Sequence, residues 1–210
     1  LPVPGTQSVI QLVPRLVAPG RRIAIFGPTY GEYARAFAGA GFAVDEISAP
    51  DQLMLDHGLA ILVNPNNPTG RAFSPVEIAA IASRMKASAG LLLVDEAFGD
   101  TEPHLSVAAQ AAGHSNLIVF RSFGKFFGLA GLRLGFVIAA EPVLSAFQEW
   151  LGPWAVSGPA LVVATELMGG DTQPVQSLIL ARKQRLDAVL HEAGLTIIGG
   201  TPLFTLIGHE

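Results

Sequence analysis

The sequence contains no cysteine, and it has few charged residues for its length. The lack of cysteine excludes disulfide bonds and thiolate metal sites and is compatible with a reducing compartment, so we expect a cytoplasmic protein. Charged residues make up 14% of the 210 residues, compared with about 25% in an average globular chain. Much of the chain is therefore expected to lie in a core or an interface.

The sequence also lacks runs of one charge, long apolar runs and a signal peptide. The formal net charge is −4 without clustered lysine and arginine, which argues against a nucleic-acid partner. Its apolar stretches are interrupted well short of the roughly 18 residues that a membrane span needs, so no membrane partner is expected. The first residue is Leu1, with no basic region before an apolar one. We expect a fragment of a longer chain.

Six short apolar runs predict strands that are buried on both faces, as in a parallel sheet. Helical patterns lie between them, at 6–17, 31–39 and 74–88. The last of these starts with Ser74 at the N-cap, Pro75 at N1 and Glu77 at N3. This alternation predicts an α/β fold, a three-layer α/β/α sandwich with a mostly parallel central sheet. The predicted strands are 22–26, 43–47, 60–63, 91–94, 117–120 and 134–139.

The pattern changes to helices after Ala140. Three helices are predicted at 141–150, 159–168 and 173–193, followed by strands at 196–198 and 203–207. We expect the long third helix to link the first domain to a second one.

Polar or aromatic residues follow four of the predicted strands at the point where each strand ends. In α/β sheets the carboxyl ends of the strands meet at one crevice, where ligands bind. Each cluster alone could be a turn, a helix cap or a solvated loop, but their joint position at strand ends indicates one site. The clusters are 27–30, 64–70, 95–98 and 121–125.

The residue types in these clusters suit one kind of chemistry. Lys125, followed by Phe126 and Phe127, can lose its proton in apolar surroundings and form a Schiff base. A buried Asp95 can hold the nitrogen of a pyridine ring protonated, and Tyr30 can stack on the face of such a ring.

A second group of residues suits an anion. The run from Gly5 through Thr6 and Gln7 opens a predicted helix, whose backbone N–H groups favour a phosphate. Ser122 can add a hydroxyl, and Arg133 can add a fixed positive charge.

Together these residues resemble the fold-type I pyridoxal-phosphate enzymes of the aspartate aminotransferase superfamily. The landmarks are Asn67-Pro68-Thr69-Gly70, Asp95-Glu96-Ala97, Ser122-Phe123-Gly124-Lys125, and Arg133 eight residues beyond the lysine. The resemblance implies that pyridoxal 5'-phosphate is the cofactor and no metal is used. It implies catalytic roles for Lys125, Asp95 and Tyr30, with Asn67 donating to the ring oxygen. It also implies a phosphate cradle that comprises Gly5, Thr6, Gln7, Ser122 and Arg133.

One position departs from that pattern. Many members of the superfamily carry a tyrosine where this chain has Phe98, and its hydroxyl contacts the ring oxygen. Phe98 would line the cofactor site without that contact, and we expect the loss of this hydrogen-bond donor to alter the electron balance of the bound cofactor.

The finer resemblance is to the branch that contains histidinol-phosphate aminotransferases and threonine-phosphate decarboxylases. The runs 4–7, 27–32 and 121–131 look more like the decarboxylases, which act in cobalamin biosynthesis. The resemblance implies a small-molecule substrate, either an amino acid or a phosphorylated amino compound, and a homodimer. It also implies a cofactor-binding large domain at 1–172, without its N-terminal segment, and a linker helix with the start of a small domain at 173–210. The arginine that orients the substrate carboxylate belongs to the small domain, and nothing in 1–210 matches it.

Other functions remain as alternatives. A class I or II aminotransferase would use the same residues, and a non-catalytic regulatory domain would keep the fold. A nucleotide-binding module is disfavoured because neither G-x-x-x-x-G-K-[ST] nor G-x-G-x-x-G is present. A metal hydrolase is disfavoured because the five histidines show no ligand spacing.

Overall fold

A seven-stranded sheet forms the centre of the computed structural model, which describes residues 1–208. The strand order is β1-β7-β6-β5-β4-β2-β3. Strands β2 to β6 are parallel, β7 runs antiparallel to β6, and β1 runs antiparallel to β7. The strands are β1 Pro2–Val3, β2 Arg22–Phe26, β3 Val44–Ile47, β4 His57–Val63, β5 Leu91–Asp95, β6 Leu117–Ser122 and β7 Gly135–Ile138.

The prediction of a mostly parallel sheet is thus confirmed, and all six predicted strands exist. The two-residue β1 was not predicted, since two residues are too few for a periodic pattern. The reversed direction of β7 was not predicted either, because an apolar run buried on both faces looks the same in either direction.

Helices cover both faces of this sheet. Alternate strand residues such as Ile61 and Phe120 pack on one face against α1, α2 and α6. Their neighbours, such as Leu62 and Val119, pack on the other face against α3 and α4. This gives the three-layer sandwich that the sequence predicts. The helices are α1 Thr6–Ile10, α2 Glu32–Gly39, α3 Pro75–Ala87, α4 Ala108–Ala111, α5 Phe123–Phe126, α6 Glu141–Leu151, α7 Gly158–Gly169 and α8 Gln173–Glu192.

Local sequence sets where α3 begins and where α1 ends. Ser74 Oγ accepts a hydrogen bond from the Glu77 N–H (3.3 Å), and the Glu77 carboxylate accepts one from the Ser74 N–H (2.8 Å), so the predicted capping box is present. The predicted helix at 6–17 is wrong, however, because α1 ends at Ile10. Pro14 lacks an N–H and fits only the first turn of a new helix, so the 3₁₀ turn Val13–Leu16 follows instead.

A separate two-stranded sheet follows α8. It consists of β8 Thr196–Thr201 and β9 Phe204–Gly208, which pair antiparallel. Both predicted strands are confirmed, although β8 is longer than predicted. Residues 209 and 210, including His209, lie outside the described part. Over residues 1–208 none of the helices combines the length and apolarity required to cross a membrane.

The β8–β9 hairpin contacts the loop that follows β4 through glycines on both sides. The Gly200 N–H donates to the Thr69 carbonyl (3.2 Å). A Cβ on Gly70 would lie 1.9 Å from the Gly200 oxygen, and a Cβ on Gly199 would lie 2.2 Å from the Thr69 oxygen. Only glycine at these positions lets the two backbones come this close. The hairpin is therefore packed directly against the loop that carries Asn67.

Candidate active site

A cavity of about 320 Å³ lies at the carboxyl edge of the parallel sheet. The ends of β4, β5 and β6 open onto it, as expected for ligand sites in α/β sheets. All ten residues that the sequence predicts for the site line this cavity: Gly5, Thr6, Gln7, Tyr30, Asn67, Asp95, Phe98, Ser122, Lys125 and Arg133. Five further residues line it without having been predicted: Val63, Ala97, Gly124, Ala130 and Leu134.

Asp95 is the last residue of β5 and is 4% exposed. Its Oδ1 accepts a hydrogen bond from the Ala97 N–H (2.9 Å), and its Oδ2 accepts one from the Tyr33 hydroxyl (2.7 Å). Burial raises the pKa of this carboxyl above its ordinary value, while the hydrogen bonds and the charge of Lys125 oppose that rise. Within residues 1–208, the carboxylate is thus buried beside the cavity without a protein cation at hydrogen-bonding distance.

Tyr30 is held by a chain of polar contacts. Its hydroxyl donates to Gln7 Oε1 (3.2 Å), and Gln7 Nε2 donates to Glu32 Oε2 (2.8 Å). Arg35 completes the chain with an ion pair to Glu32 (3.1 Å). Glu32 therefore fixes which end of the Gln7 amide faces Tyr30. The contact between Glu32 and Gln7 was not predicted from the sequence.

Asn66 ties the loop after β4 to the loop after β2. Its Nδ2 donates to the Pro28 carbonyl (2.9 Å) and to Thr69 Oγ1 (2.7 Å). Its Oδ1 accepts from the Thr29 hydroxyl (2.5 Å). These bonds fix Asn67 and Tyr30, the neighbours of the bonded residues, relative to each other.

Lys125 lies in the last turn of α5, and its side chain is exposed. Its Nζ lies 5.6 Å from the centre of the Phe98 ring, which packs edge-on against Phe204 of β9 (5.1 Å). Phe126 and Phe127 line a second cavity together with Lys125. Phe126 is buried in the protein, and Phe127 stacks on Phe123.

The predicted phosphate cradle depends on close approach between Arg133 and the segment before α1. Arg133 has a left-handed backbone (φ 51°), and its Nη1 donates to the Ala130 carbonyl (3.0 Å). A Cβ on Gly5 would lie 2.7 Å from Arg133 Nη2. Glycine at this position, with φ +78°, therefore leaves room for the guanidinium.

The polar groups around this cavity fit pyridoxal phosphate. A guanidinium, the Ser122 hydroxyl and the start of α1 suit its phosphate, and a buried carboxylate suits its ring nitrogen. The Lys125 amine suits its aldehyde. The space that the absent Cβ of Gly5 leaves beside Arg133 is the structural observation that supports this fit.

Two contacts around the site were missed by the sequence reasoning. Glu96 is buried, and its Oε2 accepts from Arg121 Nη1 (2.8 Å) and from the Ser106 hydroxyl (2.6 Å). This ion pair joins the ends of β5 and β6. The second missed residue is Tyr33. Its contact with Asp95 spans 62 residues, so no local pattern in the sequence signals it.

The comparisons with known proteins point in one direction. The family model described as aminotransferase class I and II matches residues 1–210. A threonine-phosphate decarboxylase from a Sinorhizobium species is 68% identical over 209 residues, which is 100% of this chain and 63% of that protein. A threonine-phosphate decarboxylase from Pseudomonas aeruginosa is 45% identical over 208 residues, which is 97% of this chain and 62% of that protein.

A solved structure shares the fold. Histidinol-phosphate aminotransferase from Sinorhizobium meliloti, in complex with pyridoxal-5'-phosphate, superposes with a TM-score of 0.82 at 23% identity. The match covers 96% of this chain and 59% of that one. The chain thus spans somewhat less than two thirds of the length of these relatives.

Proposed function

The chain belongs to the aminotransferase class I and II family, and from this premise we propose that it is part of a pyridoxal-phosphate enzyme, an L-threonine-O-3-phosphate decarboxylase of cobalamin biosynthesis. The observation that carries the proposal is the cavity in which Lys125, Asp95, Asn67 and Arg133 meet at the carboxyl edge of the sheet. The choice of reaction is supported by the 68% identity to a threonine-phosphate decarboxylase over 100% of the chain.

In this proposal each site residue has one task. Arg133, Ser122, Thr6 and Gln7, with the backbone at Gly5, hold the cofactor phosphate. Asp95 holds a proton on the ring nitrogen.

The remaining site residues orient the ring and its substrate. Asn67 would donate to the ring oxygen, Tyr30 would stack on the ring face, and Lys125 would be the amine that joins the cofactor. Phe98, supported by Phe204, forms an apolar wall beside Lys125 and donates no hydrogen bond to the ring oxygen.

When bound, pyridoxal phosphate supplies a ring that accepts the electron pair released at the substrate Cα. Cleavage of the bond between Cα and the carboxylate carbon would release carbon dioxide and leave that electron pair on the ring. Lys125 Nζ, which the substrate amine would displace from the cofactor, would then be free to carry a proton to Cα. The hydrogen bonds of Asn66 keep Asn67 and Tyr30 fixed during this step.

We also propose the organisation of the whole protein. Residues 1–172 would form the cofactor-binding domain, and 173–210 the linker helix and the start of a small domain. The position of α8 between the seven-stranded and the two-stranded sheet supports this division. A homodimer is supported by exposed apolar side chains, among them Trp154, Val162 and Met168. A cytoplasmic location is compatible with the absence of cysteine.

The test uses the protein expressed from its complete gene and reconstituted with pyridoxal phosphate. We expect carbon dioxide release from threonine phosphate, and its loss in Lys125→Ala but not in Lys86→Ala, an exposed lysine on α3. A parallel reaction contains histidinol phosphate and 2-oxoglutarate. Glutamate formation without carbon dioxide would instead make the protein an aminotransferase. Neither product, with no visible cofactor band, would favour a non-catalytic domain.

A further inference from the structure

The hydroxyl of Tyr33 is a buried group to which the proposed function assigns no task. Tyr33 lies in the first turn of α2, and its side chain is 0% exposed. Its hydroxyl donates to Asp95 Oδ2 at 2.7 Å, across 62 residues of sequence. A phenol is rarely buried without a partner, and here the partner is the carboxylate that faces the cavity.

The titratable groups around Asp95 come from three parts of the chain. Tyr33 and Tyr30 approach from α2 and the loop before it, Glu96 follows on the same segment, and Lys125 approaches from α5. Of these, Tyr33 is the side chain that hydrogen-bonds the carboxylate; the other bonded donor is the backbone N–H of Ala97.

Two opposing effects act on the Asp95 carboxylate. Burial disfavours its charged form, whereas hydrogen bonds donated to it favour that form. A bond to a charged acceptor is stronger than one between neutral groups. The pKa of Tyr33 itself is raised well above its ordinary value, chiefly by burial, so the phenol keeps its proton and remains a donor.

We propose that Tyr33 is a positioning residue that orients the Asp95 carboxylate and holds it in its charged form, ready to keep a proton on the cofactor's ring nitrogen. The inference rests on the proposed function, because it assigns Tyr33 a task in the same site. Tyr33 does not line the cavity, but its hydroxyl bonds Asp95, which does, and would thereby control the charge of that carboxylate.

The role of the Tyr33 hydroxyl can be tested separately from the packing of the Tyr33 ring. The Tyr33 ring packs edge-on against Tyr30, with centroids 6.5 Å apart. Tyr33→Phe keeps this contact and removes only the hydroxyl. Phe37→Leu is the matched control, because Phe37 is fully buried in the same helix and packs against Phe42 instead.

The first measurement needs no cofactor. Thermal unfolding of the cofactor-free protein is followed from pH 4 to pH 8 for wild type, Tyr33→Phe and Phe37→Leu. Loss of the hydroxyl raises the folded-state pKa of Asp95 further above its unfolded value. Stability is then lost as pH rises from the unfolded-state pKa of Asp95 through its folded-state pKa. Tyr33→Phe should therefore lower the thermal stability more at pH 8 than at pH 4. Phe37→Leu should lower stability by a similar amount at both pH values.

The second measurement uses the cofactor-loaded protein. Nitrogen NMR with ¹⁵N-labelled pyridoxal phosphate reports whether the ring nitrogen carries a proton at neutral pH. We expect a protonated nitrogen in wild type and in Phe37→Leu, and loss of that proton in Tyr33→Phe. The kcat should fall about tenfold to a hundredfold in Tyr33→Phe, as for loss of a hydrogen bond to a charged group, with little change in KM.

The outcomes separate this inference from the proposed function. If wild type takes up cofactor but Tyr33→Phe changes neither the pH dependence of stability nor the nitrogen signal, the role of Tyr33 is refuted and the proposed function stands. If wild type takes up no cofactor, the proposed function fails and so does the task at the ring nitrogen. The unfolding data would then report only a structural bond.

Discussion

Two aspartates lie at opposite edges of the same sheet, and their pKa values are shifted in opposite directions. Asp45, near the start of β3, pairs with Arg22 and also bonds His57 Nε2 (3.0 Å). These partners, with the Arg22 hydrogen bond first, lower the pKa of Asp45 to about 2. Asp95, at the end of β5, accepts hydrogen bonds from the neutral donors of Tyr33 and Ala97, and burial raises its pKa.

The difference lies in where the positive charge comes from. At the amino edge the positive charge belongs to Arg22. His57 is completely buried there, and its Nδ1 accepts a hydrogen bond from the Met54 N–H (2.9 Å). Its Nε2 therefore carries the proton and donates to Asp45. At the carboxyl edge neutral groups hold the carboxylate in place beside a cavity of about 320 Å³. In the proposed function, the protonated ring nitrogen of the cofactor would supply the positive charge at the carboxyl edge.

The largest difference between the two aspartates is expected when each carboxylate is neutralised in turn. Asp95→Asn should lower kcat by about 10²–10⁴-fold, the range for loss of a group that controls a proton, without loss of thermal stability. Asp45→Asn should lower thermal stability and leave kcat unchanged, because Asp45 does not line the cavity. Steady-state kinetics and thermal unfolding of both variants check this. Equal activity losses in the two variants would contradict the division between the edges.

A smaller effect is expected from glycines at the two edges. Gly20, in the turn before β2, has φ +83°, and a Cβ added there would meet open space among the described residues, so Gly20→Ala should cost about 1–2 kcal/mol of backbone strain. Gly70, with φ +73°, faces the Gly200 backbone, so Gly70→Ala should add about 1–3 kcal/mol of overpacking.

Urea unfolding of both variants measures these costs, and the kcat of each shows whether the hairpin contact matters for the site. We expect only Gly70→Ala to lower kcat, because its loop carries Asn67. Similar unfolding free energies and similar kcat values would mean that the hairpin does not depend on this contact.

The smallest effect concerns acid stability. The pKa of Asp45 is lowered in the folded protein, so its contribution is present above the unfolded value near 3.9 and is lost as pH falls toward about 2. Wild type should therefore lose stability in this interval more steeply than Asp45→Asn. Thermal unfolding between pH 5 and pH 2 tests it; parallel curves for the two proteins would show that the pair contributes nothing.

Much of the fold follows from sequence because its signals are local. Continuous apolar runs locate the strands of the sheet, and the capping box at Ser74 locates the start of α3. The break of the first helix was missed, although Pro14 could have indicated it. The direction of β7 depends on its pairing with β6, which the run itself does not encode.

The site residues were predictable for a different reason. Their order along the chain matches a family pattern, and the carboxyl ends of parallel strands bring them together. The hydrogen bonds and ion pairs around these residues could not be predicted from the family pattern. Tyr33 reaches Asp95 across 62 residues, and Arg121 reaches Glu96 across 25. Such pairs depend on the packed geometry of helix and sheet.

The most direct test of the central claim is to locate the cofactor on the chain. The protein is incubated with pyridoxal phosphate, reduced with borohydride to fix the cofactor to its lysine, digested and analysed by mass spectrometry. Among the three lysines of this sequence, Lys86, Lys125 and Lys183, we predict the added mass on Lys125. Attachment to Lys86 or Lys183, or no attachment at all, would contradict this assignment.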